Sequence, residues 1–189
     1  MQTLTTVLRR RMPRLLVAAA MTLTLAPASA PAQSADYDLP ITSLSPQRHR
    51  AAVAELVDQE RAKRSLRALR PSSQLRQSAR AWAIVTRSHF GILSHGDFAS
   101  RSRHFAFVTA GRPNSRFVGE NIAFGSGLLS TPREIVRSWM SSSGHRANIL
   151  RNWMYSAVWS SRSGDAVAVV LHLGRTDRRV MRTATADPP

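Results

Sequence analysis

The stretch SSSGHRANIL, residues 141 to 150, is the part of this sequence around which the fold and the candidate site are organised. It follows the run EIVRSWM, residues 134 to 140, whose apolar residues recur at helical spacing and predict a packed helix. A turn rich in serine and glycine then presents His145 before the chain becomes apolar again. Because binding and catalytic groups concentrate on loops held by packed elements, His145 is a candidate functional residue. The alternative is a surface histidine that only caps a turn.

Two earlier stretches also place a polar side chain among apolar neighbours. In ILSHGDF, residues 92 to 98, His95 follows apolar residues and precedes a glycine. In FVGENIAFG, residues 117 to 125, Glu120 lies within an apolar and partly extended run. Charged side chains are seldom buried without a partner. Glu120 is therefore predicted either to bond nearby backbone amides and hydroxyls or to face a cation or an imidazole in a cleft.

Three further helices are predicted upstream of this motif. Ser45 followed by Pro46 is a helix start, and on the helix that follows Arg61 is predicted to face water. A second helix over residues 73 to 88 buries an apolar face that includes Trp82. A third, over residues 97 to 110, ends at a glycine.

The C-terminal part of the chain predicts a β-hairpin. Alternating apolar residues indicate strands over residues 157 to 161 and 166 to 173, and RSGD, residues 162 to 165, has the composition of the turn between them. From residue 176 the chain is polar, so residues 176 to 189 are predicted to be a flexible tail.

Composition limits the classes of protein to which this chain can belong. Its 189 residues are 43% hydrophobic, which suits one globular domain, and none is a cysteine. Disulfide bonds, thiolate metal sites and thiol nucleophiles are therefore excluded. The net charge of +16 comes almost entirely from arginine, since Lys63 is the single lysine. Such a charge favours polyanions such as nucleic acid, acidic lipid or an anionic cell-envelope polymer.

Residues 1 to 32 have the pattern of an export signal. Arginines precede an apolar segment at residues 15 to 25, and small residues up to Ala32 suit cleavage there. A membrane anchor is the alternative, but the apolar segment is much shorter than the ~20 residues of a transmembrane helix. We therefore expect a secreted or periplasmic protein without a transmembrane helix in the mature chain, which disfavours nucleic acid as a partner. Residues 33 to 45 are predicted to be a linker.

Taken in order, these motifs resemble the bacterial branch of the CAP superfamily, which includes cysteine-rich secretory proteins, antigen 5 and plant pathogenesis-related proteins. The run DQERA, residues 58 to 62, resembles the opening helix of that family's SCP domain. The resemblance covers residues 46 to 175. It implies an α+β fold in which a small antiparallel sheet is flanked by helices in a three-layer α-β-α sandwich.

The resemblance also implies a cleft lined by histidines and acidic residues, which here are His95, His145 and Glu120. Eukaryotic members usually carry a second glutamate where this chain has Ser142. The three remaining residues could bind a divalent ion such as zinc, although one carboxylate fewer lowers the expected affinity. No cofactor is expected to be required.

Two classes of function follow from this resemblance. The first is a non-catalytic binding module of the cell envelope or exterior, with a lipid, a sterol or an anionic envelope polymer as its ligand. The second is a metal-assisted, peptidase-like hydrolase, in which His95, Glu120 and His145 hold an ion that activates water. A serine nucleophile is disfavoured because the serines at residues 141 to 143 lie in no Gly-x-Ser-x-Gly turn.

Overall fold

The computed structural model describes residues 34 to 89, 93 to 96, 98 and 117 to 175. The predicted export signal at residues 1 to 32 and the tail at residues 176 to 189 lie outside this part of the chain. Of the helix predicted over residues 97 to 110, only Phe98 is described.

Helices and strands follow one another as an α+β fold. The helices are α1 (Pro46–Ala62), α2 (Ser73–Ser88), α3 (Pro132–Ser141) and α4 (Ser143–Ile149), with 3-10 turns at Ser34–Asp38 and Gly127–Ser130. The strands are β1 (Arg70–Pro71), β2 (Phe117–Ser126), β3 (Tyr155–Ser163) and β4 (Ala166–Arg175).

Serine caps begin the first two helices where the sequence predicts. Ser45 Oγ accepts a hydrogen bond from the Arg48 amide at 3.2 Å, and Pro46 occupies the first helical position of α1. Ser72 Oγ accepts from the Leu75 amide at 3.3 Å at the start of α2. The predicted start of α1 and both predicted ends of α2 are confirmed.

The four strands form one sheet in the order β1-β3-β4-β2. Strand β4 pairs antiparallel with both β2 and β3, whereas the two residues of β1 pair parallel to β3, so the sheet is mixed at one edge. The predicted hairpin is confirmed, with both strands longer than expected. Gly164 in its turn has φ +61°, a left-handed conformation that glycine adopts without strain.

Helices cover both faces of the sheet, which confirms the three-layer sandwich. Alternate residues of β4, such as Val169 and Leu171, pack with α1 and α3 in the larger core, and Trp139 of α3 is 1% exposed within it. Val170 points to the other face, where it packs against Ala79 and Ala83 of α2. Trp82, predicted to be core, is only partly buried beside this smaller cluster.

The structure corrects three predictions. His145 does not lie in a turn, because Ser142 alone separates α3 from α4 and His145 is inside α4. Residues 34 to 45 do not form a free linker, since Tyr37 and Ile41 are buried in the larger core. Arg61 does not face water: it is 1% exposed, and its Nη1 donates to the carbonyl oxygens of Ile149 and Arg151 at 2.6 and 2.9 Å.

Within the part of the chain that the structure describes, no helix has the length and apolarity needed to cross a membrane.

Candidate functional site

Glu120 lies at the centre of a cluster of imidazoles. Its side chain, on β2, is 1% exposed. Oε1 lies 2.9 Å from His95 Nδ1, and Oε2 lies 2.7 Å from His172 Nε2. An ionised carboxylate can only accept hydrogen bonds, so both ring nitrogens carry the proton and donate. Of the alternatives left open for Glu120, the structure therefore supports the one in which the carboxylate faces an imidazole.

Sequence reasoning missed His172. It lies on β4 directly opposite Glu120 in the sheet register, and it is 2% exposed. Ser78 Oγ of α2 is 2.7 Å from His172 Nδ1, so in the neutral imidazole the hydroxyl donates to this nitrogen. The only signal in the sequence was a histidine inside an otherwise apolar strand, and nothing local paired it with Glu120.

Ser78, His172 and Glu120 have the hydrogen-bond order of a catalytic triad. However, Ser78 is 4% exposed and lies within α2, so its hydroxyl has no access to a substrate. A nucleophile must reach the reacting atom of its substrate. The chain of hydrogen bonds instead ties α2 to the sheet and fixes the orientation of the carboxylate.

His95 and His145 face each other at the accessible side of the cluster. Their ring centroids are 6.0 Å apart, and the rings are inclined by 55°. The His95 side chain is 50% exposed, whereas His145 is half-buried. Burial, followed by the nearby His95, lowers the pKa of His145 below its usual value, so this imidazole is neutral at neutral pH. The structure thus brings all three residues singled out from the sequence into one cluster.

Side-chain amides hold α4 against β2. Asn121 Nδ2 donates to the His145 carbonyl at 3.1 Å, and Asn148 Nδ2 lies within hydrogen-bond distance of both the Glu120 carbonyl and Asn121 Oδ1. At Gly119, an added Cβ would overlap the Asn148 side chain. The run of glycine, glutamate and asparagine at residues 119 to 121 therefore positions both the carboxylate and the helix that carries His145.

A protein-family model matches the part of the sequence that contains most of this site. The model of the CAP or cysteine-rich secretory protein family aligns with residues 54 to 165, more than half of the chain. The chain belongs to the CAP family. The match includes β2 with Glu120 and α4 with His145 but ends before β4, so His172 lies outside it.

Individual bacterial proteins resemble part of this chain. The uncharacterized protein YkwD of Bacillus subtilis is 34% identical over 117 residues, covering 59% of this chain and 42% of that protein. An outer surface protein of Borrelia burgdorferi superposes with a TM-score of 0.54 at 17% identity, covering 66% of this chain and 90% of that one. A cysteine-rich secretory protein of Staphylococcus aureus superposes with a TM-score of 0.51 at 16% identity, covering 70% of this chain and 40% of that one. The chain thus spans less than half the length of its curated relative, and the two structures show the shared fold.

The three-ligand metal site implied for a CAP protein does not fit this donor set. Both oxygens of Glu120 already accept hydrogen bonds from imidazole nitrogens. Among the residues that the structure describes, no three or more histidine, aspartate or glutamate side chains are grouped so that they could hold a metal ion. Ser142, at the position of the family's second glutamate, supplies no carboxylate. A divalent ion at this site would therefore rest on His95 and His145 without a carboxylate ligand.

Proposed function

We propose that this CAP domain is an exported, non-catalytic binding module whose ligand contacts His95 and His145. One observation carries the proposal: both Glu120 oxygens accept from imidazoles, in a side chain that is 1% exposed. In the alternative, metal-assisted hydrolase, Glu120 would be the carboxylate ligand of the ion that activates water. A buried carboxylate that accepts two imidazole donors is suited instead to orienting His95.

The ligand of this module belongs to the classes expected for an exported CAP protein, a lipid, a sterol or an envelope polymer. The two imidazoles provide its polar contacts, because His95 is half-exposed and His145 lies beside it. A divalent ion such as zinc binds to the same pair weakly, since two imidazoles give fewer ligands than a tetrahedral zinc site uses.

Zinc binding tests whether His95 and His145 form an accessible pair of ligands. By calorimetry at pH 7.5 we expect a micromolar or weaker dissociation constant, and we expect binding to weaken as the pH falls, because a protonated imidazole does not bind metal. The His145→Ala variant should lose binding. The His89→Ala variant is the matched control, because His89 is exposed at the end of α2 and its ring forms a local hydrogen bond to the Val85 carbonyl.

The fold is expected to persist when a chelator removes the ion, as judged by circular dichroism. Two results together would favour the metal-assisted hydrolase over the binding module. The protein would have to cleave a peptide or a glycan, and both the chelator and His145→Ala would have to abolish that cleavage without unfolding the chain.

Export is tested separately from the site. If residues 1 to 32 are a cleaved signal, mass spectrometry of the protein recovered from its host should find the mature N-terminus close to Gln33. Full-length chain found solely in the cytoplasm would contradict export. Full-length chain in the membrane fraction would mean that the segment anchors the domain.

A further inference from the structure

A cluster of arginines surrounds Trp159, a half-buried residue on the side of the sheet that α2 covers. The Arg50 guanidinium carbon lies 4.1 Å from the centroid of the indole ring, and that of Arg80 lies 5.5 Å from it. Both distances are within the range of a cation–π contact. The indole therefore holds together two cationic groups that come from different helices, α1 and α2.

A third arginine adds to this charge. Arg76 lies one helical turn before Arg80 on α2, and both are exposed. Burial and the positive charge of Arg76 together lower the pKa of Arg50. Arginine remains charged in proteins at neutral pH, so the three guanidinium groups repel one another.

Among the residues that the structure describes, no carboxylate is paired with these arginines. Helix α2 and strand β3 contain no aspartate or glutamate. Among the ion pairs of the described residues, none joins Arg50, Arg76 or Arg80 to an acid.

The acids of α1 serve other contacts. Asp58 accepts from the Leu69 amide, Glu60 pairs with Lys63, and Glu55 hydrogen-bonds to Tyr37. The cluster around Trp159 is therefore a concentrated positive charge that the described residues leave uncompensated.

We propose that Arg50, Arg76 and Arg80 around Trp159 form a binding site for phosphate groups. A guanidinium group offers a planar fork of donors that matches phosphate oxygens, and stacking on an aromatic ring reduces the freedom that it loses on binding. Three guanidinium groups from two helices offer more N–H donors than the two oxygens of one carboxylate can accept. A phosphate has more acceptor oxygens, directed to several sides, and its charge removes the mutual repulsion.

This site is separate from the imidazole cluster and goes beyond the function proposed above. The two share α2 but use different residues, since Ser78 contacts His172 while Arg76 and Arg80 belong to the arginine cluster. Binding of phosphate can therefore succeed or fail independently of zinc binding at His145.

The test uses pyrophosphate as the probe. We expect titration at low ionic strength to shift the NMR signals of the Trp159 indole N–H and of the Arg50 and Arg80 Nε–H groups along saturable curves. The double variant Arg76→Gln/Arg80→Gln should weaken binding at least tenfold. Arg162→Gln/Arg175→Gln removes the same charge from exposed positions outside the cluster and should change binding less than twofold. Thermal melts check that both variants are folded.

A second arm identifies the source of the phosphate. Cosedimentation with phosphatidylglycerol vesicles that depends on Arg76 and Arg80 would identify a lipid headgroup, and pyrophosphate binding without cosedimentation would identify a soluble or polymeric phosphate. Equal weakening by the two double variants would overturn the proposal, because overall charge would then explain the binding. Shifts that do not saturate, or acetate binding as strong as pyrophosphate, would also overturn it.

Discussion

Replacing Trp139 by alanine is expected to lower the free energy of unfolding by about 3 to 5 kcal/mol, the usual cost of deleting a large buried aromatic side chain. Trp139 is 1% exposed and is among the largest fully buried side chains of the domain. It packs with Ile135 and Val136 of α3 in the larger core. Urea denaturation followed by circular dichroism measures the loss, provided that unfolding is two-state.

Trp139→Phe is the matched control. In the described structure, the indole Nε1 of Trp139 is buried without a hydrogen-bond partner. Phenylalanine keeps most of the apolar contacts and removes this unsatisfied donor, so we expect it to cost much less than alanine. Because α3 leads directly into α4, the alanine variant should also shift the NMR signals of His145. Near-native stability of Trp139→Ala would show that Trp139 is not part of the core.

Acid is expected to destabilise the domain through His49, by about 3 kcal/mol between pH 6.5 and pH 4 at 1.36 kcal/mol per pKa unit. His49 is fully buried on α1. Burial lowers its pKa from 6.5 to about 4; the hydrogen bond to the Ser130 carbonyl opposes this shift, and the charge of Arg50 makes a smaller contribution that lowers the pKa further. Its Nε2 donates to the Ser130 carbonyl at 2.9 Å, while its Nδ1 lies 2.8 Å from Ser160 Oγ and accepts from that hydroxyl. Both contacts are satisfied by the neutral imidazole.

The sign of the pH dependence follows from the lowered pKa. Below pH 6.5 the unfolded chain takes up a proton on His49 that the folded chain does not bind until about pH 4. The contribution of neutral, buried His49 to the free energy of unfolding is therefore complete above pH 6.5, and it is lost as the pH falls to about 4. Denaturation midpoints across this range measure the slope.

His49→Gln should be less stable at pH 7 and should show a shallower decline towards pH 4, because glutamine does not titrate. The control, His89→Gln, changes an exposed histidine and should keep the slope of the original protein. Parallel slopes for the original protein and His49→Gln would contradict this account.

Most residues of the candidate site could be predicted from the sequence, but the hydrogen bonds between them could not. His95, Glu120 and His145 stood out because each is a polar residue beside apolar segments, and the structure places them together. The partner on the other side of the carboxylate, His172, was missed because a strand's neighbour depends on register across the sheet. The metal site at His95, Glu120 and His145 was expected from the family resemblance, and it stays a prediction.

Local patterns determined the elements of this protein, and tertiary contacts decided what their polar residues do. Serine caps, helical periodicity and a glycine turn act within a few residues, so the ends of α2 and the β-hairpin were readable from the sequence. Arg61 is a residue that tertiary contacts decided. Helical periodicity predicted that its side chain is exposed to solvent, but it is buried. Its burial depends on the carbonyls of Ile149 and Arg151, which approach it from about 90 residues further along the chain. A buried guanidinium is stable only when such acceptors surround it, and only the folded chain brings them there.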